Sequence, residues 1–232
     1  MKKHHVLIDA CVAAAFFAEK TTRSKKLRTR AMSLFKGGSE SFETNLLIPN
    51  FCIAEVFSVF EKYRWGRTWN RHVSKANSLT KREFQAARKG FGEAVHNGSR
   101  VNQCELNRYH ILSVDLISPV NNAYRIKRDR ARKQNVVPAQ TYDMLIVAMG
   151  IWLQKQLGKP NFTIVTGDDR IAAVVKRARS VTLNKTLRAH LESIASRLGL
   201  RYGADLYPEV ISFAKATQGQ LRERFPNWTP AW

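Results

Sequence analysis

Three short apolar runs, each followed closely by a helical stretch, constrain the fold of this chain more than any other feature of it. Val6-Leu7-Ile8 precedes Cys11–Phe17, Leu46-Leu47-Ile48 precedes the stretch 49–65, and Phe162–Val165 precedes Arg170–Ala178. Runs this short and this apolar read as buried strands, and strands that alternate with helices are the units of a parallel sheet. Ser113–Ile117 and Val181-Thr182-Leu183 fit the same role as further strands. Pro49 suits the first position of the helix behind the second run. Thr141–Leu153 is a strongly apolar helix with Gly158 near its stop and Pro160 beyond it, and Lys185–Leu198 is helical as well. The expected fold is α/β, with a central, mostly parallel sheet flanked by helices. No repeat or low-complexity tract interrupts it.

Charge limits the partners. Thirty-nine Lys and Arg stand against 18 Asp and Glu in 232 residues, a net charge of +21. A field of that sign and size attracts polyanions, nucleic acid first among them. The basic residues cluster: KTTRSKKLRTR (20–30) holds six with no acid, RIKRDRARK (125–133) six around one Asp, and 61–110 eleven against four Glu. Trp65, Trp69, Phe84 and Phe91 are interleaved with Arg64, Arg67, Arg71, Arg82 and Arg88. Two readings stand: bases stack on these aromatics, or the aromatics form the core of a small helical segment. No long basic amphipathic helix points to a membrane surface.

Three widely spaced cysteines (Cys11, Cys52, Cys104) give neither a zinc spacing nor a disulfide framework, which suits a reducing, cytoplasmic setting. Asp9 breaks the N-terminal apolar run at its centre, so that run is not a secretion signal. No apolar stretch approaches the ~20 residues that span a bilayer.

Four acids lie in apolar surroundings. Asp9 ends the first strand, Asp143 opens the apolar helix, and Asp168, followed by Asp169, comes just after Phe162–Val165, behind Thr166 and Gly167. Glu55 has Phe51, Cys52, Ser58 and Val59 as same-face neighbours on a helix, where an unpaired carboxylate is costly to bury. Each has a bland reading: a helix cap for Asp9, Asp168 or Asp169, a dipole contact for Asp143, a salt bridge for Glu55. Together they suggest something else. Carboxylates that converge repel one another unless a cation lies between them, and an oxygen-only set suits Mg²⁺ or Mn²⁺. With a basic surface, that constellation suggests phosphodiester hydrolysis. The six histidines show no base–orienter pattern, and neither a dinucleotide fingerprint nor a phosphate-binding P-loop occurs.

At VLIDACV (6–12), IPNFCIAEVF (48–57), YDMLIVAMG (142–150) and IVTGDD (164–169) the chain resembles the PIN-domain nucleases, most closely the VapC-type toxins of toxin–antitoxin pairs. The resemblance implies that Asp9, Glu55, Asp143 and Asp168 are the metal-binding and catalytic acids. It further implies hydrolysis of RNA to a 5′-phosphate and a 3′-hydroxyl, with Thr166 hydrogen-bonding a carboxylate or the attacking water. Asp169 would cap the helix or serve a second ion, the cap being favoured. Cys11 stands where the family has Ser, Thr or Asn, which weakens the case for a side chain steadying Asp9. The resemblance implies a nuclease core over 1–60 and 111–184, a basic helical insertion over 61–110 and a helical extension over 185–232. Arg64, Arg67, Arg71, Arg125, Lys127, Arg128 and Arg130 are the expected RNA contacts. A protein antitoxin and a second copy of the chain are the protein partners it allows. The rival readings are an inactive RNA-binding scaffold of the same fold and a DNA-directed nuclease.

Overall fold

The structure is a computed structural model, and it describes residues 3–22, 24–37, 44–66, 73, 77–98, 101–130, 138–180 and 184–225. Strand β1 (His4–Ile8) is followed by α1 (Ala10–Phe17) and α2 (Lys25–Gly37), and β2 (Thr44–Pro49) by α3 (Asn50–Trp65) and α4 (Lys81–His96). Then come β3 (Asn102–Cys104), α5 (Arg108–Leu112), α6 (Ser118–Arg130), α7 (Thr141–Leu157), β4 (Phe162–Thr166), α8 (Asp169–Arg179), α9 (Lys185–Arg197), β5 (Val210–Ser212) and α10 (Gln218–Arg224).

The five strands form one parallel sheet, ordered β3-β2-β1-β4-β5 and flanked by helices. Val6 lies opposite Leu46, Leu7 opposite Leu47 and Ile48 opposite Gln103. All five residues of β4 are buried, as are four of the five in β1. Burial on both faces explains why these strands read as unbroken apolar runs. The α/β reading therefore holds at the level of layers and strand direction.

The chain divides into two compact units. One comprises Met1–Glu105, Val165–Gly167 and Ile211–Trp232; the other comprises Leu106–Ile164 and Asp168–Val210. In the first, α1 packs against α2, α3 and α4. Helix α4 starts at a capping box between Thr80 and Glu83 and buries Phe84, Ala87, Phe91 and Ala94, a stripe at helical spacing. Phe91 meets Phe17 and Phe57 with ring centroids 5.3 and 5.2 Å apart, so Phe84 and Phe91 belong to the core. Arg30, only 4% exposed, donates to the carbonyls of Phe213 and Ala216 at 2.6 and 2.7 Å. Part of the basic run 20–30, read as a solvated face or loop, is thus helix α2 with one cation turned inward.

In the second unit α7 buries Ile146, Val147, Met149 and Ile151 and packs against α5 and α8. Residues 113–117 are not a strand. Ser113–Leu116 forms a 3₁₀ turn, which puts Ser113 and Leu116 on one buried side. Ser113 Oγ accepts from Trp152 Nε1 at 2.7 Å, and the Leu116 carbonyl accepts from the Tyr207 hydroxyl at 3.0 Å. Two strands lie where only helix is expected: β3 within 61–110 and β5 within 185–232. The expected strand at 181–183 lies outside the described residues.

Candidate active site

In the first unit the site is built at the carboxyl ends of neighbouring strands β1 and β4. The strand order turns between these two, and that is where open α/β sheets present ligand-binding groups. Asp9 follows β1 and is 4% exposed; Thr166 ends β4 and is fully buried. The Thr166 hydroxyl donates to Asp9 Oδ2. Asp9 Oδ1 accepts from the Val12 amide at 3.0 Å, so Asp9 also caps α1, and from Cys11 Sγ at 2.8 Å. Cys11 in turn accepts from the Gly167 amide at 3.0 Å. The thiol does hold Asp9, contrary to the weakness expected of a Cys at this position. A sulfur can donate and accept weakly, which suffices when the backbone fixes both distances.

Glu55 lies on α3, whose buried residues are Cys52, Val56 and Phe60. It is exposed, so the expectation of a carboxylate on a buried apolar face fails. The buried stripe of Cys52, Val56 and Phe60 passes one residue to the side of Glu55.

In the second unit Asp143 sits in the first turn of α7, 8% exposed, with Oδ2 accepting from the Gln140 amide at 2.7 Å. Asp168 immediately precedes α8 and caps it, accepting from the Arg170 amide at 2.8 Å. The favoured role for Asp169 as the cap therefore belongs to Asp168; Asp169 is the first residue of the helix itself. Asp143 and Asp168 share one cation. Arg170 Nε lies 2.8 and 3.0 Å from the two oxygens of Asp168 and 3.5 Å from Asp143 Oδ2, and Nη2 also pairs with Asp168. Burial pushes the Asp143 carboxyl above its ordinary value, and the charge of Asp168 adds to this; the Gln140 amide and Arg170 oppose it. Burial pushes Asp168 up too, but the hydrogen bonds and charge of Arg170 outweigh it and hold this carboxyl below the ordinary range.

The oxygen-only donors of Asp143 and Asp168, partly buried and already sharing a cation, fit a hard divalent ion. Among the described residues no three His, Cys, Asp or Glu side chains are grouped to hold one as they stand.

Among the expected RNA contacts, Arg125 is exposed on α6, and Arg64 is partly buried with its guanidinium 4.2 Å from the centre of the Trp65 ring. Lys127, Arg128 and Arg130 belong to α6, but their side chains, like Arg67, Arg71 and Trp69, lie outside the described residues. The sequence reading assigned no role to Arg170; its signal was an Arg two residues after an Asp at a helix start. Nor did it single out the cavity of about 810 Å³ in the second unit, lined by Gln154, Lys155, Lys159, Arg201, Tyr202 and Asp205. No described helix is long and apolar enough to cross a membrane. Comparison with protein-family models, curated proteins and solved structures finds no match to this chain.

Proposed function

We propose that this protein is an Mg²⁺- or Mn²⁺-dependent endoribonuclease of the PIN type, with Asp9, Glu55, Asp143 and Asp168 as its metal-binding acids. The observation that carries the proposal is the Asp143–Arg170–Asp168 arrangement: two partly buried carboxylates close enough to share one positive charge. A structural role needs one such carboxylate with its partner. Two that repel each other in a buried setting are costly unless a cation is part of the design.

A divalent ion bound to these acids would lower the pKa of a bound water and neutralise charge developing on the phosphate. The chain's own residues do the rest. Thr166, Cys11 and the Val12 amide fix Asp9 from three directions, so its carboxylate is pre-oriented. The Gln140 amide orients Asp143 in the same way. The net charge of +21 draws the RNA backbone through phosphate contacts, which favour affinity over sequence choice. A toxin role with a protein antitoxin, self-association and a cytoplasmic location belong to the same reading.

The scaffold alternative has its own support: Arg170 already offsets part of the acid pair's charge without any metal. One experiment separates them. Wild type and Asp143→Asn are incubated with a structured RNA mixture, and separately with DNA, in Mg²⁺ or Mn²⁺ and in chelator. Metal-dependent cleavage that the variant loses supports the nuclease. Tight, salt-sensitive binding without cleavage by well-folded wild type overturns it in favour of the scaffold; cleavage of DNA alone would redirect it to that substrate.

A further inference from the structure

We propose that Arg170 is a built-in, displaceable counter-ion: its guanidinium holds the place between Asp143 and Asp168 that a divalent cation must take, and metal binding expels it. The inference rests on the metal-dependent reading above.

Three observations carry it. First, Arg170 engages the oxygens an ion would need. Its Nε meets both oxygens of Asp168, at 2.8 and 3.0 Å, and lies 3.5 Å from Asp143 Oδ2. An ion ligated by Asp168, or bridging it to Asp143 Oδ2, would sit against the guanidinium, and like charges at contact distance in a partly buried site exclude each other. Second, Arg170 lies in the first turn of α8, the positive end of the helix, where a cation is disfavoured. Its side chain stays because the carboxylates hold it, not because the helix does. Third, leaving is cheap in packing terms. The side chain is 29% exposed, and α8 is anchored by Ile171, Val174, Val175 and Ala178, none of which need move when the guanidinium swings into solvent.

The charge count supports exchange. One Arg leaves the carboxylate pair with a net charge of about −1, whereas a divalent ion balances it fully. The site thus stays electrostatically tolerable when no metal is at hand, at the expense of weaker metal binding.

The test compares the full chain with Arg170→Ala and Arg170→Gln at fixed ionic strength. Mn²⁺ binding is read by calorimetry and by the resonance signal of free Mn²⁺. Both variants should bind Mn²⁺ roughly tenfold or more tightly than wild type, since no Arg170–carboxylate pairing has to be broken before the ion enters. In chelator both should melt below wild type, and Mn²⁺ should raise their Tm by more than it raises that of wild type. Asp168→Asn, added to Arg170→Gln, should abolish the gain. If Arg170→Ala does not fold, Arg170→Gln, which keeps the stem, carries the comparison. Equal or weaker Mn²⁺ binding by variants whose wild type binds the ion overturns the counter-ion while leaving the metal site standing. No Mn²⁺ binding by any of the three proteins at millimolar concentration overturns the metal reading, and this proposal with it.

Discussion

Thr166→Val removes one hydroxyl and almost no volume. Thr166 is fully buried, Asp9 is 4% exposed, and the hydroxyl donates to Asp9 Oδ2. A hydrogen bond to a charged, buried acceptor contributes roughly 1.5–3 kcal/mol, and its loss leaves that oxygen with a desolvation penalty. The methyl that replaces the hydroxyl matches it in size, so no cavity forms. The Val12 amide and Cys11 both act on Oδ1, at 3.0 and 2.8 Å, and are untouched. We predict a loss of about 2 kcal/mol, a factor of ~30 in the unfolding constant. Urea unfolding followed by far-UV dichroism measures it, and an unchanged m-value shows that the compactness of the end states is not at issue. The decisive control is a cycle with Asp9→Ala: the coupling between the two sites should be about 1–2 kcal/mol. A cost under ~0.5 kcal/mol, or strictly additive effects, would refute the idea that Thr166 fixes Asp9.

Arg30→Met keeps the apolar stem but leaves the Phe213 and Ala216 carbonyls without their buried donor. A destabilisation of about 3–5 kcal/mol in thermal or urea unfolding is expected, and a loss below ~1 kcal/mol would show that water replaces the guanidinium freely. The hydrogen bond from Lys20, together with the Thr80 amide, holds the Glu83 carboxyl down to about 2. Because the folded value is lowered, this contribution is fully present above the ordinary carboxylate range and is lost as pH falls from about 4.5 toward 2. Both side chains are about 40% exposed, so the contribution is at most ~1 kcal/mol. Lys20→Met should flatten that segment of the stability–pH curve, and an unchanged acid limb would count against the pair.

The strands legible in the sequence were those buried on both faces, where every position must be apolar and the run announces itself. Strands β3 (Asn-Gln-Cys) and β5 were not, because an edge strand three residues long owes its conformation to the ladder offered by its neighbour. Ser113–Leu116 misled for the converse reason: alternating polarity mimics a strand when a turn buries positions three apart. Among the acids, Asp9 and Asp143 were legible as buried groups, because an Asp beside an apolar run is carried inward with it. Glu55 showed the limit of that argument. Helical spacing names its neighbours but not which side of the stripe meets solvent.

The cations were the hardest to read. A count of +21 invites the picture of a uniformly outward-facing basic surface. Arg30, turned onto two backbone carbonyls, and Arg170, folded back onto a carboxylate two residues before it, contradict that picture. Arg30 has no local signature, since its partners lie 183 and 186 residues away, whereas Arg170 has only the weak one of an Asp two residues before it. The consequence reaches the function. If the protein binds RNA as proposed, charges already engaged by the protein do not release counter-ions from it, so the salt dependence of binding should report fewer phosphate contacts than the composition suggests. In chelator, where Arg170 stays on the acids, its removal should then leave that salt slope nearly unchanged. A slope that instead fell by a full contact would mean that Arg170 meets phosphate in the complex rather than the acids.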